Sequence, residues 1–369
     1  MNETLFPLTD EQAVERDAFV ERILQATAGA FDIFTLFIGQ EFGFYRILAE
    51  YGPMTSVELA ARSDTQERYV REWLEQQTVV GILSVENHKV SPTQRCFRLP
   101  TPHAEVLVDV DSPNYVLPLT QMIAGAVRPL SQLLNAFRHG GGVPYSEYGR
   151  DFLEGQGAIN RVMFLQELGQ DWLPTIPDLH KRLQADPPAR VADIGCGVGW
   201  SAIGMAQAYP NIHVDGYDLD GPSIAMAKVN ARDARLNGRV TFFARDAGDI
   251  DNAGKYDLVT AFECIHDLSD PVGVLRTMHQ LAGEKGTVLI ADERVGDTFT
   301  PTGNDVEWMM YGWSVLHCLP VGMADDPSAG TGTVMRTNTL RQYAREAGFS
   351  DVEVLPIDNF FFRVYRLVQ

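Results

Sequence analysis

The chain has 369 residues, 45% of them hydrophobic, which fits a globular protein of two domains and excludes a disordered or fibrous one. Its 30 basic and 49 acidic residues give a net charge of −19, a balance that repels nucleic acid and anionic membrane and favours cationic or neutral small molecules. The opening residues lack a basic segment followed by an apolar core, and the most apolar later stretch is broken by Asp32, Gln40 and Glu41, so a cytoplasmic protein without a membrane span is expected.

In chain order, the first predicted element is an apolar, Phe-rich helical stretch from about Ala26 to Gly52, with more apolar surface than a small domain can bury alone. A homodimer is therefore expected. Next comes a short helix with Leu59 and Ala60 inward, then a second with Tyr69, Val70 and Trp73 inward. Two short strands follow, around Gly81 to Leu83 and Phe97 to Leu99, and the whole reads as a winged helix. A DNA reader wants a basic second helix. This one alternates Glu67, Arg68, Arg71, Glu72 and Glu75, which favours a dimerisation or substrate-covering role.

From about His103 to Gln184 the pattern is helical, interrupted by "RHGGGVPYSEYGRDF", where three glycines and Pro144 forbid a helix. The interruption reads either as a plain linker or as a lid carrying Tyr145, Tyr148 and Phe152. Beyond Arg190, strands near 190–194, 213–218, 240–245, 256–262 and 287–292 alternate with helices, which gives a doubly wound, Rossmann-like α/β sheet with its ligand at the carboxyl ends of the strands. The last two strands, "VEVLPI" and "FFFRVYRLV", are joined by too short a link to be parallel. The four cysteines lie far apart and read as reduced thiols.

The stretch "VADIGCGVGW" is a strand running into Gly195, Gly197 and Gly199, a turn over which a ligand can approach the backbone. Its glycine spacing departs from the dinucleotide pattern, with Trp200 where that pattern needs glycine. Asp218 follows Gly199 by about 20 residues, the distance at which a carboxylate reaches the two hydroxyls of a ribose. Asp246, ending the third strand, can accept from an exocyclic amino group such as that of adenine. Asp193 would repel a pyrophosphate but suits an ammonium group. Ribose, adenine, an ammonium and a positive sulfur together describe S-adenosylmethionine, with nicotinamide chemistry as the alternative.

"VADIGCGVG" with Asp218 and "RDAGDI" resembles the class I S-adenosylmethionine-dependent methyltransferases, over roughly residues 185–369. The resemblance implies a seven-stranded sheet. It places Gly195, Gly197 and Gly199 along the methionine part of the cofactor, Asp193 at its amino group, and Asp218 at the ribose. Leu219 falls on the adenine face and Asp246 with Ala247 at the adenine edge; Phe262 and Glu263, where the fourth strand ends, complete the set. The whole chain is similar to a bacterial group that joins a winged-helix domain to this catalytic fold. The implied division is 1–102 for winged helix and dimerisation, 103–184 for a helical linker and lid, and 185–369 for catalysis, with 294–336 as a substrate-capping insertion.

The segment "AFECIHDLSDP" is similar to the "HD-x-S-D" stretch of the plant-type small-molecule O-methyltransferases, which implies His266 as the general base, with Asp292 buttressing it and Glu293 adjacent. Asp267 and Asp270 read instead as a cap for the helix starting at Pro271. In the insertion, Trp308, Met309, Met310, Tyr311 and Trp313 form an apolar face suited to a flat acceptor, and His317 is a second candidate base. The expected activity is methylation of a small molecule at oxygen, with neither nucleic acid nor membrane as partner and no metal. The alternative is a winged-helix regulator that binds S-adenosylmethionine as a signal.

Overall fold

A computed structural model describes residues 6–236, 238–246, 248, 254–301 and 303–369. The chain divides into two compact units, Met1–Ala124 and Gly125–Gln369.

In the first unit a single helix spans Asp10–Glu41, started by a reciprocal cap in which Thr9 Oγ1 accepts from the Gln12 amide and the Gln12 side chain accepts from the Thr9 amide. The Phe-rich stretch is therefore not one helix from Ala26 to Gly52: Gly43, at φ 65°, breaks it and starts a second helix, Phe44–Tyr51. The first helix is long and apolar enough to cross a membrane by length and composition, which the sequence reading did not anticipate. Helices Ser56–Ser63 and Glu67–Val79 pack with two short antiparallel strands, β1 (Ser84–Val85) and β2 (Phe97–Arg98). Leu59, Val70, Trp73, Leu74 and Phe97 form the core. Tyr69 points outward, 80% exposed, because the buried stripe of its helix runs through Val70, Trp73, Leu74 and Gln77. The first strand begins later than Gly81, because the Ile82 and Leu83 amides fold back onto the Gln77 carbonyl.

The second unit is built on a seven-stranded sheet. Its strands are β3 (Arg190–Ile194), β4 (His213–Asp218), β5 (Val240–Ala244), β6 (Leu258–Phe262), β7 (Thr287–Glu293), β8 (Asp351–Val354) and β9 (Phe362–Val368). Their order is β5-β4-β3-β6-β7-β9-β8. Strands β3 to β7 are parallel, and β9 runs antiparallel between β7 and β8. The direction of winding reverses between β3 and β6, so the crevice beyond their carboxyl ends is where a ligand belongs. Strands β6 and β7 are buried along their whole length, as parallel strands covered on both faces must be.

The "GGGVP" break separates helix Leu130–His139 from helix Gly149–Met163. It is tied down: the Val143 amide donates to the Pro320 carbonyl at 2.9 Å. Tyr148 and Phe152 are buried, not displayed on a surface. In the insertion, helix Asp305–Trp313 does not present one apolar face, since Met310 is buried while Trp308 is 73% exposed and Met309 and Tyr311 are also exposed.

Candidate active site

Strand β3 delivers the chain into the glycine turn, where Gly195, Gly197 and Gly199 have φ of 65°, 51° and 86°, a region costly to residues with a Cβ. The three glycines serve different ends. A Cβ on Gly195 would lie 2.6 Å from Cys264 Sγ, and one on Gly199 2.5 Å from the Phe242 ring, whereas one on Gly197 would meet nothing within 4 Å. Gly197 therefore keeps open space over the turn, and its neighbours allow the turn to pack.

Strand β4 ends in Asp218, whose two oxygens accept from the Gly197 and Asp220 amides at 2.8 Å each. Burial raises its proton affinity. Leu219, next to it, is 72% exposed. Asp246 is exposed after β5 and accepts from the Gly248 amide at 2.7 Å; Ala247 lies outside the described residues. Asp193 lies at the end of β3, just before the turn. It is buried, with one oxygen on Ser201 Oγ at 2.5 Å and the other on Thr260 Oγ1 at 2.7 Å, so it braces the turn from beneath. Burial pushes its carboxyl up to about 6. Phe262 is likewise buried, against Phe164 with ring centroids 5.7 Å apart.

Beyond β6 the backbone enters the left-handed region at Glu263, φ 53°, an uncommon conformation for a residue with a side chain and one concentrated at functional sites. Burial pushes the Glu263 carboxyl up to about 7, against the opposing pull of His266 and a hydrogen bond from Asn160. Asn160 is a partner that the sequence did not reveal, since nothing local connects it with a residue so far along the chain.

His266 and Asp292 come together as expected: Nδ1 lies 2.9 and 3.0 Å from the two Asp292 oxygens. Glu293 Oε2 is 3.4 Å from the same nitrogen, and Asp267 Oδ1 is 3.2 Å from Nε2. Burial alone would favour neutral imidazole, but Asp292, Glu293 and Asp267 outweigh it and hold His266 well above its ordinary pKa. The ring is buried, 2% exposed, and Nδ1 is the nitrogen engaged by Asp292. Asp267 belongs to this cluster and not to a helix cap; Asp270 alone caps the next helix, accepting from the Gly273 amide at 2.8 Å.

The strand order, the closing antiparallel strand and the Gly197–Asp218 link define the class I methyltransferase architecture. The chain belongs to the methyltransferase domain family, whose model matches residues 165–354; residues 31–109 match a winged HTH domain of the Rv2258c-like type. Among curated relatives it is 30% identical to a ubiquinone biosynthesis O-methyltransferase of Marinobacter nauticus, over 28% of this chain and 43% of that protein. It is 28% identical to the Aromatoleum aromaticum protein of the same name, over 48% and 71%. The chain thus spans less than half of the first relative's length. Among solved structures, the mitomycin 7-O-methyltransferase MmcR superposes with a TM-score of 0.70 at 19% identity, covering 97% of this chain and 99% of that one. Human N-acetylserotonin methyltransferase, solved with SAM, gives 0.66 at 20% identity, covering 95% and 97%.

Proposed function

We propose that this protein is an S-adenosylmethionine-dependent methyltransferase that modifies a small, hydroxylated, largely apolar molecule at oxygen. The observation that carries the reading is the bond from the Gly197 amide to Asp218, with open space over Gly197. A carboxylate beside bare backbone supports a nucleoside lying over this turn. A carboxylate oxygen has more than one lone pair, so Asp218 can hold the turn and still accept from ribose hydroxyls. Exposed Leu219 offers apolar surface to a base, Asp246 an acceptor at its edge, and Glu263 a carboxylate beside the crevice. When bound, the cofactor supplies a methyl group on a positively charged sulfur. The chain's own part is to align the acceptor and to remove its proton. The curated relatives, named as O-methyltransferases, support oxygen as the target.

Nucleic acid is not part of this reading. In the helix Glu67–Val79 the arginines are already paired, Arg68 with Glu72 and Arg71 with Glu67. The exposed side chains Phe19, Ile23, Leu24, Phe31, Phe34 and Ile38 of the first helix support a homodimer, and the protein is read as cytoplasmic. Calorimetry tests the central claim: Asp218→Ala should weaken S-adenosylmethionine binding by about 1.5–3 kcal/mol, the cost of lost hydrogen bonds to a charged acceptor. Tight NAD binding by the wild type, or unchanged affinity in a folded variant, would overturn it.

A further inference from the structure

The two nitrogens of His266 have different company. Nδ1 belongs to Asp292, at 2.9 and 3.0 Å from its oxygens. On the other side of the ring, Nε2 lies 3.2 Å from Asp267 Oδ1, and His266, Asp267 and Cys318 each bring a ligand atom to within 4.8 Å of the other two. Nearness does not satisfy the carboxylate: Asp267 Oδ1 is buried with no hydrogen-bond partner.

Backbone contacts set these three residues in place. Cys318 ends the π-helical turn Ser314–Cys318 of the insertion, a kind of turn frequent at functional sites. The insertion is bound to the loop after β6 by the Gly332 amide, which donates to the His266 carbonyl at 3.1 Å, and by the Ala329 amide, which donates to that of Ser269 at 2.9 Å. The two segments touch so closely that a Cβ on Gly322 would lie 3.2 Å from the Asp267 carbonyl oxygen.

We propose that His266 Nε2, Asp267 Oδ1 and Cys318 Sγ form a zinc site, with water as the fourth ligand, and that zinc bound there arrests methyl transfer. The second half rests on the methyltransferase reading above. With Nδ1 engaged by Asp292, Nε2 is the atom of His266 left to take the acceptor's proton, and zinc takes the same lone pair. On binding, the nitrogen and carboxylate lone pairs go to the metal, and the thiol gives its proton to water as sulfur joins them. A chelator reverses each step, and no electron changes hands.

The donor set selects the metal. Sulfur, imidazole and carboxylate suit zinc, whereas magnesium and calcium take oxygen. Zinc bonds of about 2.0–2.3 Å in a tetrahedron put neighbouring ligand atoms roughly 3.3–3.7 Å apart, so the ion fits between atoms already this close and needs no larger cavity. The carboxylate on Nδ1 completes the pattern, because a zinc-bound histidine is oriented by an acceptor on its other nitrogen. Asp267 keeps 18% of its side chain exposed, which gives an ion its way in, and a net charge of −19 draws cations towards the protein. Nothing in local sequence announced the site, since Cys318 lies far along the chain from His266.

Calorimetry of the full chain, stripped with EDTA and titrated with zinc chloride, tests the site. One zinc per chain should bind with micromolar affinity or better, magnesium should give no signal, and Cys318→Ala should weaken zinc by about 100-fold or more. Cobalt(II) in place of zinc should show a thiolate-to-metal absorption band in the wild type and in Cys264→Ser, and none in Cys318→Ala. A wild type that takes up no zinc, or a Cys318→Ala variant with the same affinity and the same band, overturns the proposal. Cys318→Ser, closer in shape, repeats the comparison if the alanine variant does not fold. On a phenol found by screening, equimolar zinc should lower wild-type turnover tenfold or more, EDTA should restore it, and Cys318→Ala should keep its zinc-free rate. Full turnover with the site filled refutes the arrest. A wild type that does not bind S-adenosylmethionine sinks the methyltransferase reading instead, and the zinc titration still decides the site.

Discussion

A methyl group added at Gly199 would press into the Phe242 ring, while one at Gly197 would project into open space, so the same substitution should have two different consequences. Gly199→Ala combines overpacking with an unfavourable φ and should cost about 2–5 kcal/mol of stability in urea titrations. Gly197→Ala carries only the backbone strain, about 1–2 kcal/mol, yet should weaken S-adenosylmethionine by tenfold or more. Full affinity in Gly197→Ala would mean that the space above it is not the cofactor's. The glycine pattern and its acids were legible in the sequence because they lie in one turn and at strand ends. The division of labour among the glycines was not, because Cys264 and Phe242 arrive from distant strands. For the same reason the bonds from Ser201 and Thr260 to Asp193 were not legible. A further prediction concerns Glu263. Its folded form holds a proton up to about pH 7, against an ordinary value of 4.5, so the native state binds more protons than the unfolded chain between those values, and stability must fall as pH rises through them. Between pH 4 and 6.5 the buried His317, depressed to about 4, acts in the opposite sense, because there the unfolded chain binds the extra proton. Glu263→Gln removes only the Glu263 contribution, so the variant's urea midpoint should rise relative to wild type as pH increases from 4.5 to 7, and a constant difference would show that Glu263 ionises as in water.

Among the elements, helix Asp305–Trp313 is tethered where sequence periodicity gave no hint. Glu307, 3% exposed, pairs with Arg336 at 2.8 Å, and Arg336 also donates to the Gly296 carbonyl, so one guanidinium joins the insertion to the start of helix Thr337–Ala347. Removing one partner of a buried pair leaves an uncompensated charge, and Arg336→Met should cost about 3–5 kcal/mol. Adding Glu307→Gln to that variant should recover much of the loss. A double variant no more stable than the single one would show that the arginine acts through the Gly296 carbonyl, not through the carboxylate. The aromatic run of this helix misled because hydrophobicity alone does not tell which side a helix packs. Val306 and Met310 meet Val295 in a small cluster, and that choice leaves Trp308 outside. The sheet was readable throughout, because buried parallel strands are continuous apolar runs and the closing pair permits only one sense. Boundaries set by positive φ, such as Gly43, depend on backbone geometry that hydropathy does not encode.

For the whole molecule, the apolar side chains exposed along the first helix set its assembly. Phe19 is 59% exposed, Leu24 64% and Phe31 66%, more apolar surface than a single helix of a free monomer should present. Two copies of a chain with net charge −19 repel one another, and that repulsion is screened by salt over a Debye length of about 10 Å at 0.1 M. Apolar contact is not weakened in the same way. A homodimer held through this helix should therefore tighten severalfold as sodium chloride rises from about 0.02 to 0.5 M, the reverse of an interface built on ion pairs. Sedimentation velocity measures this directly, and Phe31→Glu should give a monomer at micromolar concentration while leaving donor affinity unchanged, because Phe31 lies in the first compact unit and the residues proposed to hold the cofactor in the second. A wild type that sediments as a monomer at every salt concentration, yet floats with phosphatidylcholine vesicles, would assign the helix to a membrane. The acidic charge does not oppose that outcome on a zwitterionic surface, so this lipid makes the comparison fair to both.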